Sequence, residues 1–266
     1  MMFTLDCDRA YLYAHPEREL TSDEIDRCDE ALARRATGVP AQYITGHQEF
    51  WGLDLIVSPA VLIPRPETEH VVEAMLDLVR SRTEPALSSS KGAPAPHSLR
   101  IVDIGTGSGA IALALAKELA AAEIHATDIS TNALEVARAN AARHDLISRI
   151  AFHHADLLSG LRGAFDFVVS NPPYVGESEE DSVQLEVRKF EPSNAVFAGP
   201  TGLEVIERLI PQAQAALKPG GWLVFEISGT IADRVKAQLS NWDDLRIRTD
   251  LQGIARVAIA KKPRGA

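Results

Sequence analysis

The sequence predicts an α/β protein whose main domain is a doubly wound sheet of seven strands. From Leu99 onward, short apolar runs alternate with segments of helical character. This alternation is typical of a largely parallel sheet that is covered by helices on both faces. A glycine-rich turn follows the first of these runs, at the carboxyl end of a strand, where sheets of this kind bind ligands.

Each element of this domain has its own sequence pattern. Short β-favouring runs predict the seven strands, in the order "RIVDIG", "EIHATD", "RIAFHHAD", "FDFVVS", "GWLVFEIS", "LRIRTD" and "ARVAIAKK". Longer segments with helical periodicity predict the helices "SGAIALALAKELAAA", "NALEVARANAARH", "GLEVIERLIPQAQAAL" and "IADRVKAQLSN". The last two strands lie close together with Gly253 between them, so we expect an antiparallel hairpin at one edge of the sheet.

The chain divides into three predicted units. Residues 1–45 are predicted to form a small N-terminal helical module, and residues 46–64 a linking β-hairpin that turns around Gly52. Residues 65–266 are predicted to form the main domain. Within it, residues 83–98 are rich in Ser, Pro and Ala, which predicts a mobile loop.

Composition and charge exclude several classes of protein. The formal net charge of −10 and the isoelectric point near 5.3 argue against broad binding to nucleic acid. Cys7 and Cys28 lack the spacing of a zinc or disulfide scaffold, so we expect no metal and a reducing compartment. Lys117 and Glu118 interrupt the most apolar run, so no membrane span is predicted. We therefore expect a soluble, cytoplasmic protein.

The turn "DIGTGSGA" is a candidate cofactor-binding loop formed by Gly105, Thr106, Gly107, Ser108 and Gly109. Glycines permit a tight turn and allow the backbone to approach a ligand with no Cβ in the way. The helix that follows directs its N–H groups at the same place. The spacing is GxGxG, unlike the GxGxxG of dinucleotide enzymes. By itself the pattern also fits a purely structural turn.

Acidic residues at the ends of strands make a binding loop the better interpretation. Asp128 ends the second strand, where a carboxylate can accept hydrogen bonds from two ribose hydroxyls. Asp156 or Leu157, after the third strand, is expected at the edge of an adenine, although Asp156 fits a turn or helix cap equally well. Asp103 is a candidate partner for an amino group. Three acids without a basic phosphate-binding residue favour S-adenosyl-L-methionine over NAD or ATP.

The corner "SNPPY" follows the fourth strand and faces the same cleft. Asn171 and the Pro172 carbonyl can accept the two N–H bonds of a planar amine or amide. Pro172 and Pro173 stiffen the corner, and Tyr174 can stack on a flat acceptor group. A proline-rich strand terminator would explain the prolines but not the Asn and Tyr together. We therefore interpret these four residues as the acceptor site, with Asn171, Pro172 and Tyr174 in the catalytic role.

Several motifs resemble the PrmC/HemK family of protein-glutamine methyltransferases across almost the whole chain. They are "DIGTGSGAIALALA", "ATDIS", "VVSNPPYV", "FEPSNAVFAGPTGLEVIERLI", "LKPGGWLVFEI" and the upstream "GVPAQYITGHQEFWGLDLIVSPAVLIPRPETE". The resemblance implies a Rossmann-like methyltransferase sheet and methylation of the glutamine amide in the Gly-Gly-Gln motif of peptide-chain release factors. It also implies that Gly105 to Gly109 and Asp128 hold the cofactor. Asn171 to Tyr174 would hold the glutamine, and Asn171 would contact both ligands.

Three features depart from the family pattern. Its N-terminal helical bundle is usually longer, so we expect the short module here to affect release-factor docking more than catalysis. "EISGTIADRV" lacks the Gly-x-x-Gln that often follows the fifth strand. Ala255 precedes Arg256 where the family often has Asp, and modest structural consequences are expected.

The sequence leaves other functions open. The Asn-Pro-Pro-Tyr corner could also bind the amino group of a nucleic-acid base or a glutamine in a ribosomal protein. The same pattern could also belong to a non-catalytic nucleotide-binding module. Arg65 and Glu67 could border the cofactor or form a salt bridge, and Glu191 could belong to a loop that closes over the acceptor. His153 and His154 adjoin in one strand and face opposite sides, so they are not expected to share a metal.

Overall fold

A computed structural model describes residues 1–83, 98–161 and 163–265, and most of the predicted loop at 83–98 lies outside them. The N-terminal module consists of four helices, α1 (Met2–Leu5), α2 (Arg9–Ala14), α3 (Ser22–Ala36) and α4 (Ala41–Thr45). Thr21 caps α3 in a reciprocal capping box with Glu24, which satisfies two amide groups at the start of the helix.

The predicted hairpin consists of β1 (His47–Phe50) and β2 (Leu53–Ile56), which pair antiparallel. Trp51 and Gly52 form its turn, both with positive φ, as the type I′ turn of a two-residue hairpin requires. The buried Asn140 fastens this hairpin to the main domain. Its amide exchanges two hydrogen bonds with the backbone of Ile56 and donates a third to the Ser108 carbonyl in the glycine-rich turn.

The main domain begins with a 3-10 turn at Pro66–Thr68 that leads into helix α5 (Glu69–Thr83). Helices and strands then alternate as predicted. In chain order they are β3 (Arg100–Ile104), α6 (Ala110–Glu118), β4 (Glu123–Asp128), α7 (Thr131–Arg143), β5 (Ile150–His154), β6 (Phe165–Ser170), β7 (Val175–Gly176), α8 (Leu185–Phe190), α9 (Ser193–Val196), β8 (Phe197–Gly199), α10 (Glu204–Ala216), β9 (Leu217–Glu226), α11 (Ala232–Gln238), β10 (Asp243–Thr249) and β11 (Ala255–Lys261).

The main sheet has seven strands in the order β10-β11-β9-β6-β3-β4-β5, which confirms the predicted fold class. Strands β3, β4, β5, β6 and β9 run parallel to their neighbours in that group. The predicted edge hairpin is also confirmed, since β11 pairs antiparallel with β9 and with β10. The short parallel pair of β7 and β8 was not predicted, nor were the short helices α8 and α9 between them in the chain. The strand order reverses beside β3, so the crevice of this fold opens above β3 and β6.

Helices cover both faces of the sheet. Successive residues of β6 point to opposite sides, so Phe167 packs with α5 and α6 whereas Val168 packs with α10 and α11. Both side chains are fully buried. This packing fixes the carboxyl end of β6, and with it the corner at Asn171.

No helix among the described residues is both long and apolar enough to cross a bilayer. Cys7 and Cys28 are free thiols. In the described part of the chain, no cluster of three or more His, Cys, Asp or Glu side chains has the arrangement of a metal site. His153 contacts the His125 ring nitrogen at 3.0 Å, while His154 contacts the Ile129 carbonyl at 2.9 Å. The two adjacent histidines therefore have separate partners.

Candidate active site

The glycine-rich turn connects β3 to α6 through three residues in the left-handed region. Gly105, Gly107 and Gly109 have φ values of 66°, 54° and 87°. A Cβ on Gly105 or Gly107 would have no described atom within 4 Å, and both glycines line an open cavity. Thr106 and Ser108 are buried instead. These two residues hold the turn together, whereas the two glycines leave its backbone accessible to a ligand.

Gly109 has a packing role that its two neighbours lack. A Cβ there would overlap the Leu113 Cδ1 atom and lie 3.3 Å from the Ala137 Cβ. We expect Gly109→Ala to destabilise the protein by about 3 kcal/mol, because it combines left-handed strain with overpacking. Gly105→Ala should destabilise the protein by only about 1 kcal/mol, because it introduces left-handed strain without overpacking. Urea denaturation of both variants measures the difference in the free energy of unfolding. Equal losses would show that overlap with α6 and α7 does not destabilise Gly109→Ala.

Asp128 ends β4 and closes the glycine-rich turn. Its two carboxylate oxygens accept hydrogen bonds from the backbone N–H groups of Gly107 and Ser130, each at 2.9 Å. Burial raises the pKa of this carboxyl, and these backbone donors oppose the shift. Each oxygen has a second lone pair, and Asp128 lines the cavity. Asp128 can therefore hold the turn and accept hydrogen bonds from a ligand at the same time.

Asp103 lies beneath the same turn and is almost completely buried. Its Oδ2 atom accepts a 2.6 Å hydrogen bond from the Thr106 hydroxyl, while Oδ1 has no hydrogen-bond partner among the described residues. Burial raises its pKa from 3.8 to about 7; hydrogen bonding from Thr106 and from the Ala112 backbone opposes this rise, and the negative charge of Asp128 adds to it. A buried carboxylate oxygen without a donor is costly. A positively charged ligand nearby would reduce this cost.

This arrangement predicts a characteristic dependence of stability on pH. The folded-state pKa of Asp103 lies above its ordinary value, so its contribution to stability is present below about pH 4 and is lost as the pH rises to about 7. For a shift of this size the loss is roughly 4 kcal/mol. We expect Asp103→Asn to make the ligand-free protein more stable than wild type at pH 8, with little difference at pH 4. Thermal unfolding at both pH values tests this; the same difference at both would contradict it.

Asp156 and Leu157 lie at the outer edge of the cavity, after β5. The Asp156 Oδ2 atom forms an ion pair with Arg208 of α10, and both side chains are roughly half exposed. Leu157 has a φ of 54°, an uncommon value for a branched residue. Asp156 is thus both a candidate ligand and an ion-pair partner.

The cofactor-side cavity has a volume of about 510 Å³ and lies at the carboxyl ends of β3, β4, β5 and β6. It brings together seven of the predicted site residues: Gly105, Gly107, Asp128, Asp156, Leu157, Asn171 and Pro173. Its remaining walls are mostly apolar and include residues 59–62 from the segment that follows the hairpin. A largely apolar pocket with a few convergent acids suits a flat, polar-edged molecule of nucleoside size.

The acceptor-side cavity lies next to it, with a volume of about 590 Å³, and is lined by all four residues of the Asn-Pro-Pro-Tyr corner. Four residues line both cavities and form their common wall: Leu62, Asn171, Pro173 and Ala195. Asn171 is the only polar side chain of these four. A group bound on one side could therefore meet a group bound on the other beside the Asn171 amide.

A buried hydrogen-bond network holds this corner from behind. The Asn171 Nδ2 group donates to the Thr68 hydroxyl at 3.0 Å, and that hydroxyl donates to Glu226 Oε2 at 2.6 Å. The Tyr174 hydroxyl donates to Glu226 Oε1 at 2.9 Å. Burial raises the pKa of both Glu226 and Tyr174. Thr68 and Glu226 were not predicted as site residues; the available signal was that Glu226 is a lone acid in the apolar run "GWLVFEIS".

Two arginines line the acceptor-side cavity, and both are paired with acids. Arg65 forms an ion pair with the buried Glu191, which also accepts from the Ile63 amide at 3.0 Å. Arg256 donates to Asp250 at 2.8 Å and lies 4.0 Å from Glu67. Glu191 thus ties the segment after α8 to the start of the main domain.

Solved methyltransferase structures share this fold. A methyltransferase from Pyrococcus furiosus superposes with a TM-score of 0.55 at 19% identity, covering 91% of this chain and 100% of that one. The Methyltransferase small domain family matches residues 90–191. The fold is therefore the Rossmann-like sheet that the Pyrococcus furiosus methyltransferase has, as the sequence predicted.

The full-length relatives define the family more narrowly. The release factor glutamine methyltransferase of Koribacter versatilis is 52% identical and covers 99% of this chain and 89% of its own. That of Bradyrhizobium diazoefficiens is 41% identical and covers 97% and 84%. The PrmC N-terminal domain family matches residues 1–46. This chain belongs to the release factor glutamine methyltransferase family, which confirms the resemblance seen in its motifs.

Proposed function

We propose that this protein transfers a methyl group from S-adenosyl-L-methionine to the side-chain amide nitrogen of the glutamine in the Gly-Gly-Gln motif of peptide-chain release factors. One observation carries the proposal: Asn171 stands in the common wall of a nucleoside-sized cavity and a second cavity lined by the Asn-Pro-Pro-Tyr corner. The names of the relatives supply the acceptor. A release factor meets such an enzyme in the cytoplasm, so we propose that location as well.

The residues around the first cavity fit S-adenosyl-L-methionine. Gly105 and Gly107 leave room for backbone approach, and Asp128 retains lone pairs suited to ribose hydroxyls. The Asp103 carboxyl lies beneath the turn, and its Oδ1 atom has no hydrogen-bond partner among the described residues. A ligand that carries an ammonium and a sulfonium group would favour the ionised form of this carboxyl. We assign the adenine edge to Asp156 and Leu157. The bound cofactor supplies an electrophilic methyl group.

The second cavity fits a planar carboxamide. Asn171 Oδ1 and the Pro172 carbonyl oxygen would each accept one N–H of the glutamine amide, and Tyr174 would form the wall against its flat face. Two accepted hydrogen bonds orient the nitrogen toward the common wall and stabilise the positive charge that develops on it. The transferred proton leaves after methylation, so no strong base is needed, and positioning supplies most of the rate enhancement.

The decisive experiment compares acceptors under identical conditions. The purified protein is incubated with methyl-labelled S-adenosyl-L-methionine and a release factor, or with the same factor carrying alanine in place of its motif glutamine. We expect label on the first factor only. Label on a ribosomal protein or on RNA, with none on either release factor, would overturn the assigned acceptor while leaving the methyltransferase class intact.

A further inference from the structure

Thr68 and Glu226 are polar, almost completely buried, and lie behind the acceptor corner. Thr68 is 4% exposed and Glu226 is 2% exposed. They come from distant parts of the chain, the turn before α5 and the end of β9, yet they hydrogen-bond each other at 2.6 Å. Burying a carboxylate is costly unless its oxygens are satisfied. Here Thr68 and Tyr174 satisfy one oxygen each.

The observed hydrogen bonds set the direction of the network. Both hydroxyls donate to Glu226, as its ionised form, which only accepts, requires. Thr68 has one hydroxyl proton, and once it is donated to Glu226 the oxygen can only accept from Asn171. The Asn171 amide therefore turns its Nδ2 group toward Thr68. Its Oδ1 atom is left on the side of the common wall.

We propose that Thr68 and Glu226 are positioning residues for methyl transfer, which hold the Asn171 amide with its oxygen toward the acceptor. The inference rests on the proposed function, because it concerns an acceptor that presents an NH2 group. A reversed Asn171 amide would present its own NH2 group to that of the acceptor. Two donors would then face each other with no proton acceptor between them.

The kinetic test replaces the Thr68 hydroxyl with a methyl group of similar size. We expect Thr68→Val to lower kcat by about 10- to 100-fold, the equivalent of one hydrogen bond to a buried polar group, with little change in cofactor affinity. Thr68→Ser should restore kcat to within about threefold, because it keeps the hydroxyl. Thr249→Val is the matched control, since Thr249 is exposed at the end of β10. Thr68→Ala is made in parallel in case valine prevents folding.

A double variant distinguishes a positioning role of Thr68 from a general loss of stability, because the two explanations predict different combined effects on kcat. If Thr68 acts through Asn171, the double variant Thr68→Val with Asn171→Ala should be no slower than Asn171→Ala alone. Full addition of the two losses would overturn the proposal, as would an unchanged kcat in Thr68→Val. Melting temperatures of all variants show whether any loss of activity merely follows unfolding.

A spectroscopic test does not depend on the acceptor. In ¹⁵N-labelled wild type, the Asn171 side-chain NH2 resonance should show protection from solvent exchange, and Thr68→Val should remove it while Thr68→Ser keeps it. Unchanged protection in Thr68→Val would overturn the proposal. If the wild type labels no release factor, the proposed function fails, and the NMR result still decides whether Thr68 orients the Asn171 amide.

Discussion

Replacing Asn171 with alanine is expected to lower the rate of methyl transfer by about 100- to 1,000-fold, while cofactor affinity changes only a few-fold. Loss of one preorganised polar group facing developing charge has an effect of this size. The side chain lies in the common wall of both cavities, but the groups assigned to the ribose and adenine come from other strands. The loss should therefore fall on the chemical step.

Single-turnover kinetics with labelled cofactor measures this step directly, and calorimetry measures cofactor binding. Asn241→Ala is the matched control. Asn241 is exposed in the segment before β10 and lines neither cavity. Weaker cofactor binding with an unchanged transfer rate would show that Asn171 serves the cofactor alone. Asn171→Asp keeps the oxygen but adds negative charge and loses the donor to Thr68, so it should fail to restore activity.

Replacing Asp128 with alanine is expected to weaken cofactor binding by about 100-fold or more. Two hydrogen bonds from ribose hydroxyls to a charged group would be lost. The backbone N–H groups of Gly107 and Ser130 would also lose their partner, which loosens the glycine-rich turn. This second effect should lower the free energy of unfolding of the ligand-free protein by about 2 kcal/mol.

Calorimetric titration with S-adenosyl-L-methionine and with its demethylated product measures the affinity. Two other acids provide the comparison. Asp156→Ala should weaken cofactor binding only a few-fold, because this side chain is half exposed and already paired with Arg208. Asp233→Ala should have no effect, since its side chain is 95% exposed on α11. Equal losses for Asp128→Ala and Asp156→Ala would contradict the assignment of Asp128 as the main anchor.

The sequence was sufficient for the fold because its signals are local. The strand "FDFVVS" and the helix "GLEVIERLIPQAQAAL" carry their periodicity within a few residues, and the structure forms β6 and α10 at these positions. The turn glycines were readable for the same reason, since left-handed backbone favours glycine. The short β7–β8 pair was missed because two- and three-residue strands have no periodicity to detect.

Tertiary structure alone decided how the acceptor corner is supported. Asn171 and Tyr174 were recognisable as a local motif, but Thr68 and Glu226 are separated by 158 positions, and neither has a neighbouring pattern that links it to the other. The shared wall of the two cavities likewise requires residues from the segment after the hairpin and from α9 to meet the end of β6. Chain-local chemistry thus determined the fold class and the reactive corner. The packing of distant elements determined which way the Asn171 amide faces, because hydrogen-bond direction depends on partners that the sequence does not bring together.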